Sequence, residues 1–279
     1  MYRLWQEGYS GRIDCKAGRR PAMTVFIIKL IAMSTMLVDH IAYWFVDNNN
    51  VMRNIGRLAF ISYAFLISES YYHLRDKPLR LKSHVIKLIF LCLITEVPYD
   101  QFSRCKWVNW EMQSVLPTLL LGFTALIAIG WWMDKVSGNK AIKIAGAAVI
   151  CLAAALATYY IRSGYEFGGV ILIVLFYLYL QKADDLTLPQ RIGLLLLIDA
   201  VYICTYIWAS SHFGSWPEIM ESAASFNRRL AGSLVAVVPL AFYNRKLGYS
   251  SKWFGWFYSF FYPLQFVVFI IARHYIRGF

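Results

Sequence analysis

The chain has 279 residues, of which 59% are hydrophobic and only 16% are charged. Soluble domains carry close to a quarter of charged residues, whereas this chain contains uncharged runs (115–133, 144–161 and 253–272) of about the length that crosses a bilayer. The composition therefore excludes an ordinary soluble protein. It predicts an all-α, polytopic membrane bundle, because backbone groups in lipid must bond within their own segment.

The formal net charge of +12 does not indicate a nucleic-acid partner. The basic residues lie in the loops between apolar spans, as expected for cytosolic loops of a membrane protein. The five cysteines are scattered and include no CxxC pair, so neither a disulfide framework nor a metal site is predicted. The first residues lack the apolar core of a signal peptide.

In chain order, the apolar pattern predicts nine spans. They cover residues 24–46, 56–74, 80–98, 115–133, 141–161, 166–181, 189–209, 229–243 and 254–273. With the N-terminus in the cytosol, 17 Lys and Arg residues fall in cytosolic segments and nine in outer segments. This asymmetry predicts a cytosolic N-terminus and an outer C-terminus. Residues 1–23 then form a basic cytosolic tail, and residues 24–279 form one transmembrane domain.

The first span carries Asp39 and His40 side by side in the run MLVDHIAYW. A charged residue near the centre of a membrane helix costs about 2.5–3.5 kcal/mol on insertion scales. His40 lies sixteen residues after Thr24, or about 24 Å along the helix, and therefore in its outer part. Histidine is suited to proton transfer, because its ordinary pKa lies near neutrality.

The next three spans bring further polar residues to the same outer depth. Arg57 opens the second span, Glu96 and Asp100 close the third, and Thr118 lies one turn into the fourth. These residues are either interfacial caps and ion pairs or parts of a site. Because adjacent residues point about 100° apart on a helix, Glu96 or Asp100 is a better predicted partner for His40 than Asp39.

A second polar group lies toward the cytosolic side. Glu69 and His73 share a face of the second span at a spacing of four residues. Lys29 lies eleven residues before His40 on the same face of the first span. The following loop carries Arg75, Arg80 and Lys82. It is either an ordinary cytosolic loop or a clamp for the phosphates of an anionic cofactor.

A basic cytosolic mouth followed by a polar line is typical of two kinds of membrane protein. One is an enzyme that takes a donor from the cytosol and an acceptor at the outer face. The other is a proton-coupled transporter or flippase that uses the same residues as a relay. No internal repeat of the kind found in many transporters is visible, but the residues alone leave both alternatives open.

Several stretches resemble the TraX family, whose namesake is associated with N-terminal acetylation of a conjugative pilin. They occur in the family's order and cover nearly all of residues 25–272. They are KLIAMSTMLVDHIA (29–42), IGRLAFISYAFLISESYYH (55–73), LITEVPYD (93–100), PTLLLG (117–122), YEFGGVILIVLFYL (165–178), LAFYNRKLG (240–248) and FYSFFYPLQ (257–265). The family usually has proline at Ile61, glycine at Ser70 and histidine at Gln265.

The resemblance implies a membrane acyltransferase that uses cytosolic acetyl-CoA as its acyl donor, in a bacterial cytoplasmic membrane. The acceptor is an amine or hydroxyl near the outer face, on a pilin-like N-terminus, an envelope glycan, or a small lipid or amine. The polar positions that the resemblance singles out are Asp39, His40, Arg57, Glu69, His73, Glu96, Asp100 and Thr118.

The resulting hypothesis makes His40 the general base, with Glu96 or Asp100 orienting it. Arg57 holds the acceptor or the developing oxyanion, and Thr118 contacts the substrate. Lys29 and the loop 75–82 meet the phosphates of the cofactor, and Glu69 and His73 belong to the same cofactor site. Besides the transporter, the remaining alternative is a non-catalytic scaffold in the lipid membrane, in which apolar residues can replace the polar cluster without loss of function.

Overall fold

The structure is a computed structural model that describes residues 23–46, 50–211 and 230–277. The predicted basic tail, residues 1–23, lies outside the described residues except for Met23. The described part contains no β-strand and is built from helices. They are α1 (Val25–Phe45), α2 (Asn50–Leu74), α3 (Pro78–Arg104), α4 (Leu116–Lys135), α5 (Lys140–Ile161), α6 (Glu166–Lys182), α7 (Leu188–Ser210), α8 (Leu230–Ala241) and α9 (Lys252–Arg277).

The all-α fold is confirmed, and one helix corresponds to each predicted span. Five of the helices are long and apolar enough to cross a membrane on their own: α1, α4, α5, α7 and α9. The chain is therefore a multi-pass membrane protein by its helices. The full count of nine spans and the orientation stay predictions, since α2 and α3 carry more polar residues and α6 and α8 are shorter.

Local sequence signals explain where several helices begin and end. Thr24 caps α1 by accepting a hydrogen bond from the backbone of Ile27 at 3.4 Å, and Asn139 caps α5 in the same way at 3.0 Å. Such side chains satisfy backbone N–H groups that have no partner within the helix. Cys105 and Arg162 follow α3 and α5 in the left-handed region (φ 57° and 56°), which ends both helices.

Two predicted boundaries were wrong. Helix α2 begins at Asn50 instead of 56, and α3 continues through Pro98 to Arg104 instead of ending near 98. Proline inside a helix removes one backbone hydrogen bond. In an apolar environment a loop would leave several backbone groups without partners, so the helix is the less costly conformation. The extension places Asp100 inside α3.

The bundle has two opposite ends, which hold the functional side chains. At one end, backbone hydrogen bonds join Met23 and Val25 to the segment after α8, and Arg245 bonds the carbonyl of Leu180 at the end of α6. Because this end also carries Arg75, we call it the basic end. At the other end, Gln113 and Gly164 make backbone hydrogen bonds that join the start of α4 to the connection between α5 and α6.

Close packing in the centre fixes the helix rotations. Helix α6 is the most enclosed element and packs against α2, α4, α5 and α7. Helix α1 packs chiefly on α2, where a side chain at Gly56 would overlap the carboxylate of Asp39. Helix α3 packs chiefly against α9 and α4, and α9 thereby lies close to the predicted polar residues of α1.

Candidate functional site

Asp39 is paired with an arginine of the neighbouring helix. Its carboxylate accepts a hydrogen bond from Arg53 of α2 at 2.7 Å, and both side chains are about one-fifth exposed. Asp39 therefore points toward α2, while the adjacent His40 faces α3 and α9 through its ring contacts. This separation agrees with the expectation that Asp39 does not orient His40.

The His40 ring lies in a pocket of aromatic side chains, which we call the His40 pocket. Its members are Phe102 from α3 at 5.3 Å and three residues of α9, namely Tyr262 at 6.3 Å, Phe266 at 5.0 Å and Phe269 at 6.4 Å between ring centroids. The Gln265 side chain also lies beside the ring. The Nδ1 atom of His40 is buried and has no hydrogen-bond partner.

The structure gives Glu96 and Asp100 partners other than His40. Glu96 accepts hydrogen bonds from the hydroxyl and the backbone N–H of Ser114, at 2.6 and 3.3 Å. Asp100 accepts one from the backbone of Asn109 at 2.7 Å. Both carboxylates thus attach the connection between α3 and α4 to α3. The side chain beside His40 is instead Gln265, a residue that the spacing of charged residues did not indicate.

Arg57 lies in a cage of tyrosines at the same end of the bundle. Its guanidinium donates to the Tyr165 hydroxyl at 3.4 Å and lies 5.9 Å from the centre of that ring. Tyr202 and Tyr206 also act on its charge. Tyr165 is in turn stacked on Phe60 at 3.7 Å. Arg57 is thus a positioned cation with donors left for an anionic or carbonyl group.

The Thr118 hydroxyl makes hydrogen bonds within the protein. Its hydroxyl lies 2.7 Å from the Ser163 hydroxyl and donates to the carbonyl of Gly164 at 2.5 Å. Thr118 is fully buried. These bonds join α4 to the connection before α6, so the geometry gives Thr118 a structural role and leaves its predicted substrate contact without support.

Toward the basic end, the structure brings together the residues that we call the lysine–glutamate cluster: Lys29, Glu69, His73, Lys87 and Tyr243. Glu69 is 2% exposed, lies 2.8 Å from the His73 ring and accepts a hydrogen bond from the Tyr243 hydroxyl at 2.5 Å. The Lys29 amine lies over the Tyr258 ring at 4.6 Å, within electrostatic range of Glu69 and Lys87.

Sequence reasoning missed His84 and gave Lys87 no role, although both lie in α3 beside this cluster. Lys87 donates to the Ser259 hydroxyl of α9. The His84 ring packs on Phe123 at 4.8 Å, and the charges of Lys29 and Lys87 both act on it. Two lysines therefore accompany a single carboxylate here, which makes the region attractive to an anion.

Two arginines from different connections lie against one tyrosine of α2: Arg75 follows α2, and Arg245 follows α8. Arg75 and Arg245 lie 5.1 and 4.7 Å from the centre of the Tyr72 ring. Arg75 also donates to the Tyr177 hydroxyl at 3.1 Å, and Arg245 is paired with Asp184 at 2.8 Å. Of the other predicted clamp residues, Lys82 is exposed and Arg80 is half-buried. The arrangement is a basic surface at the same end of the bundle as the lysine–glutamate cluster.

Asp199 of α7 is a further buried carboxylate that sequence reasoning missed. It is 3% exposed and accepts a hydrogen bond from the Ser233 hydroxyl of α8 at 3.1 Å. The rule that singled out Asp39, a carboxylate within an apolar run, applies equally to the run LLLLIDAVYI. The contact joins α7 to α8 and lies apart from the two clusters described above.

Comparison with known proteins identifies the chain at the level of its family. A family model described as TraX protein matches residues 25–273, which include every helix from α1 to most of α9. Neither the curated proteins nor the solved structures that were compared contain a match. The resemblance seen in separate sequence motifs therefore extends over the membrane domain as a whole. The chain belongs to the TraX family.

Proposed function

We propose that this protein is a bacterial inner-membrane acyltransferase that moves an acetyl group from cytosolic acetyl-CoA to an amine or hydroxyl near the outer face. One observation carries the proposal within a TraX-family chain. Its polar side chains form the lysine–glutamate cluster toward the basic end and the His40 pocket, which lies eleven residues beyond Lys29 along α1.

The lysine–glutamate cluster and the basic surface beside it are suited to binding the donor. Acetyl-CoA carries several phosphate charges, and charge-assisted contacts from arginine and lysine are the strongest that a protein offers to phosphate. Arg75, Arg80 and Lys82 meet these phosphates at the basic end, while Lys29 lies deeper, where Glu69 and His73 fix its surroundings. From Lys29 to His40 is about 16 Å along α1, a distance that the extended pantetheine arm of CoA bridges.

The His40 pocket is suited to the transfer of the acetyl group. In this proposal His40 takes the proton from the acceptor amine or hydroxyl as that atom attacks the thioester carbonyl carbon. Arg57 stabilises the oxyanion that forms. The carbon–sulfur bond then breaks, and the imidazolium returns its proton to the leaving CoA thiolate. The aromatic rings around His40 exclude bulk water, which limits hydrolysis of the thioester.

The proposal is tested with purified protein in nanodiscs mixed with acetyl-CoA. Release of CoA thiol is followed with a chromogenic thiol reagent, and acceptors are screened by mass spectrometry for a gain of one acetyl group. The acceptors are a peptide with a pilin-like N-terminus, an envelope glycan, and a small amine or lipid. Saturable acetyl-CoA binding with thiol release that His40→Gln abolishes supports an acyltransferase.

A protein that neither binds nor consumes acetyl-CoA contradicts the proposal. In that case a flippase or proton-coupled transporter becomes the better explanation of the same polar residues. Flux of a labelled lipid or a proton in liposomes then separates the transporter from a scaffold, because only the transporter requires the polar side chains.

A further inference from the structure

The His40 pocket contains a second polar side chain for which the charged-residue pattern gives no account. Gln265 of α9 is only 5% exposed. Tyr262 and Phe269 lie about one turn before and after it, Phe266 follows it directly, and all three rings lie near His40. The Gln265 side chain lies beside the His40 ring, although no hydrogen bond joins the two in this structure. It thus shares the buried, aromatic environment of the proposed base.

Three polar atoms in this pocket lack a partner. Neither the amide oxygen nor the amide nitrogen of Gln265 has one, and neither does the Nδ1 atom of His40. Burying an amide with both ends unsatisfied is unfavourable. A hydrogen bond between the two side chains would give a partner to Nδ1 of His40 and to one end of the amide, whereas the phenylalanine rings of the pocket offer no hydrogen bond.

We propose that Gln265 is a positioning residue for His40: its amide oxygen accepts a hydrogen bond from the Nδ1–H group of the imidazole. This bond fixes the ring orientation and the tautomer. It leaves the lone pair on Nε2 available to accept the acceptor's proton, while Nδ1 keeps its hydrogen throughout. The role in catalysis rests on the proposed function, but the hydrogen bond itself does not.

The other charged groups near His40 do not replace this function. Asp39, on the same helix, is neutralised by Arg53 of α2 at 2.7 Å, and these two charges act on the ring with opposite sign. Helix α3 contributes the ring of Phe102. Helix α9 contributes Tyr262, whose ring lies 6.3 Å from that of His40. Gln265 is therefore the uncharged group that sets the direction of the imidazole.

The first test is independent of activity. The protein is labelled with ¹⁵N-histidine in nanodiscs, and the His40 signals are assigned by their loss in His40→Gln. Ring nitrogen shifts of the neutral form should report hydrogen on Nδ1 in the wild type. In Gln265→Leu they should report the Nε2–H tautomer, which the neutral histidine side chain prefers in water. Hydrogen on Nε2 in the wild type, or no change in Gln265→Leu, overturns the proposal.

The second test measures the effect of the same hydrogen bond on the rate of acetyl transfer. Gln265→Leu should lower acetyl transfer about 10- to 100-fold, the value of a hydrogen bond to a charged group, with acetyl-CoA binding unchanged. Gln265→Glu should move the acidic limb of the pH–rate profile to higher pH by about one unit, because a nearby carboxylate favours the imidazolium. Leu264→Ala, at a position that is 49% exposed on the same helix, is the matched control and should behave as wild type.

These results separate the two hypotheses. A wild type with the Nδ1–H tautomer but without acetyl transfer supports the positioning bond and contradicts the proposed function. A wild type that transfers acetyl groups, together with normal rates in Gln265→Leu and an unmoved profile in Gln265→Glu, contradicts the positioning bond alone. If Gln265→Leu fails to fold, the tautomer of the wild type and the profile of Gln265→Glu decide.

Discussion

The lysine–glutamate cluster and the His40 pocket differ in how their polar groups are satisfied. In the cluster, Glu69 accepts a hydrogen bond from Tyr243 and lies 2.8 Å from the His73 ring, and the lysine amines contact Tyr258 and Ser259. In the pocket, His40 and Gln265 lie among aromatic rings with polar atoms left without partners. One region is a connected network, whereas the other places a partly exposed histidine and a buried glutamine among aromatic rings.

Because of this difference, the cluster is suited to binding a donor and the pocket to transferring a proton. A connected network with more cations than carboxylates holds its shape and attracts an anion, so it is suited to binding a phosphate-bearing donor. A histidine among aromatic rings is suited to moving a proton when its Nε2 atom is left for a substrate. Changes in the two regions should therefore separate binding from chemistry.

The largest effect is expected in the pocket. His40→Gln retains size and a hydrogen-bonding group but cannot act as a base, so acetyl transfer should fall at least about 100-fold. Binding of acetyl-CoA, measured by calorimetry, should stay within a factor of two, because the imidazole lies away from the phosphates. His274→Gln, at an exposed position on α9, is the control. Normal turnover by His40→Gln would remove His40 from the mechanism.

The converse pattern is expected toward the basic end. The double variant Arg75→Gln/Lys82→Gln should weaken acetyl-CoA binding about tenfold, less than two buried contacts would, since both side chains are largely exposed to solvent screening. The dependence of binding on salt should become shallower. The rate at saturating acetyl-CoA should change little. An unaltered dissociation constant would return this loop to the role of a topology signal.

A smaller effect, on stability, is expected at Thr118, which lies at the start of α4. Thr118→Val removes both hydrogen bonds that join α4 to the connection before α6, which should destabilise the protein by about 1–3 kcal/mol. Thermal unfolding followed by tryptophan fluorescence measures the loss. Turnover per folded molecule should remain near wild type. A specific rise in KM for the acceptor would instead restore Thr118 as a substrate contact.

The assignment of the two regions to the two sides of the membrane has its own test, with no expected effect on activity. Cys105 follows α3 at the end opposite the basic end and is exposed. A membrane-impermeant thiol reagent on cells with a permeable outer envelope should label it. Cysteines introduced at Lys77 or Lys246 should react only after lysis. Labelling of those two positions in intact cells would reverse the orientation.

Much of the fold was predictable because apolar length and breaks between runs determine where membrane helices lie. Each of the nine predicted spans has a corresponding helix among the described residues. The extension of α3 past Pro98 was not predicted, because the general rule that proline ends a helix is weaker than the need to pair backbone groups in an apolar environment.

The site was predictable as a set of polar residues in apolar helices, but its pairings were not. The position of a charge along a helix gives its depth, whereas its partner depends on the rotation of each helix, which packing decides. Glu96 is thus paired with Ser114, and Gln265 lies beside His40. His84 and Asp199 satisfy the same criterion as Asp39, and a uniform search for polar residues in apolar runs would have found them.

The central claim is that both regions bind one donor molecule, with the phosphates at the basic end and the thioester at His40. Electron cryomicroscopy of the protein in nanodiscs, with an acetyl-CoA analogue that cannot transfer its acyl group, tests it most directly. We predict density for the nucleotide near Arg75 and Lys82 and for the acyl end within reach of the His40 ring. Density that ends on the basic surface, or elsewhere in the bundle, would contradict binding of one donor by both regions.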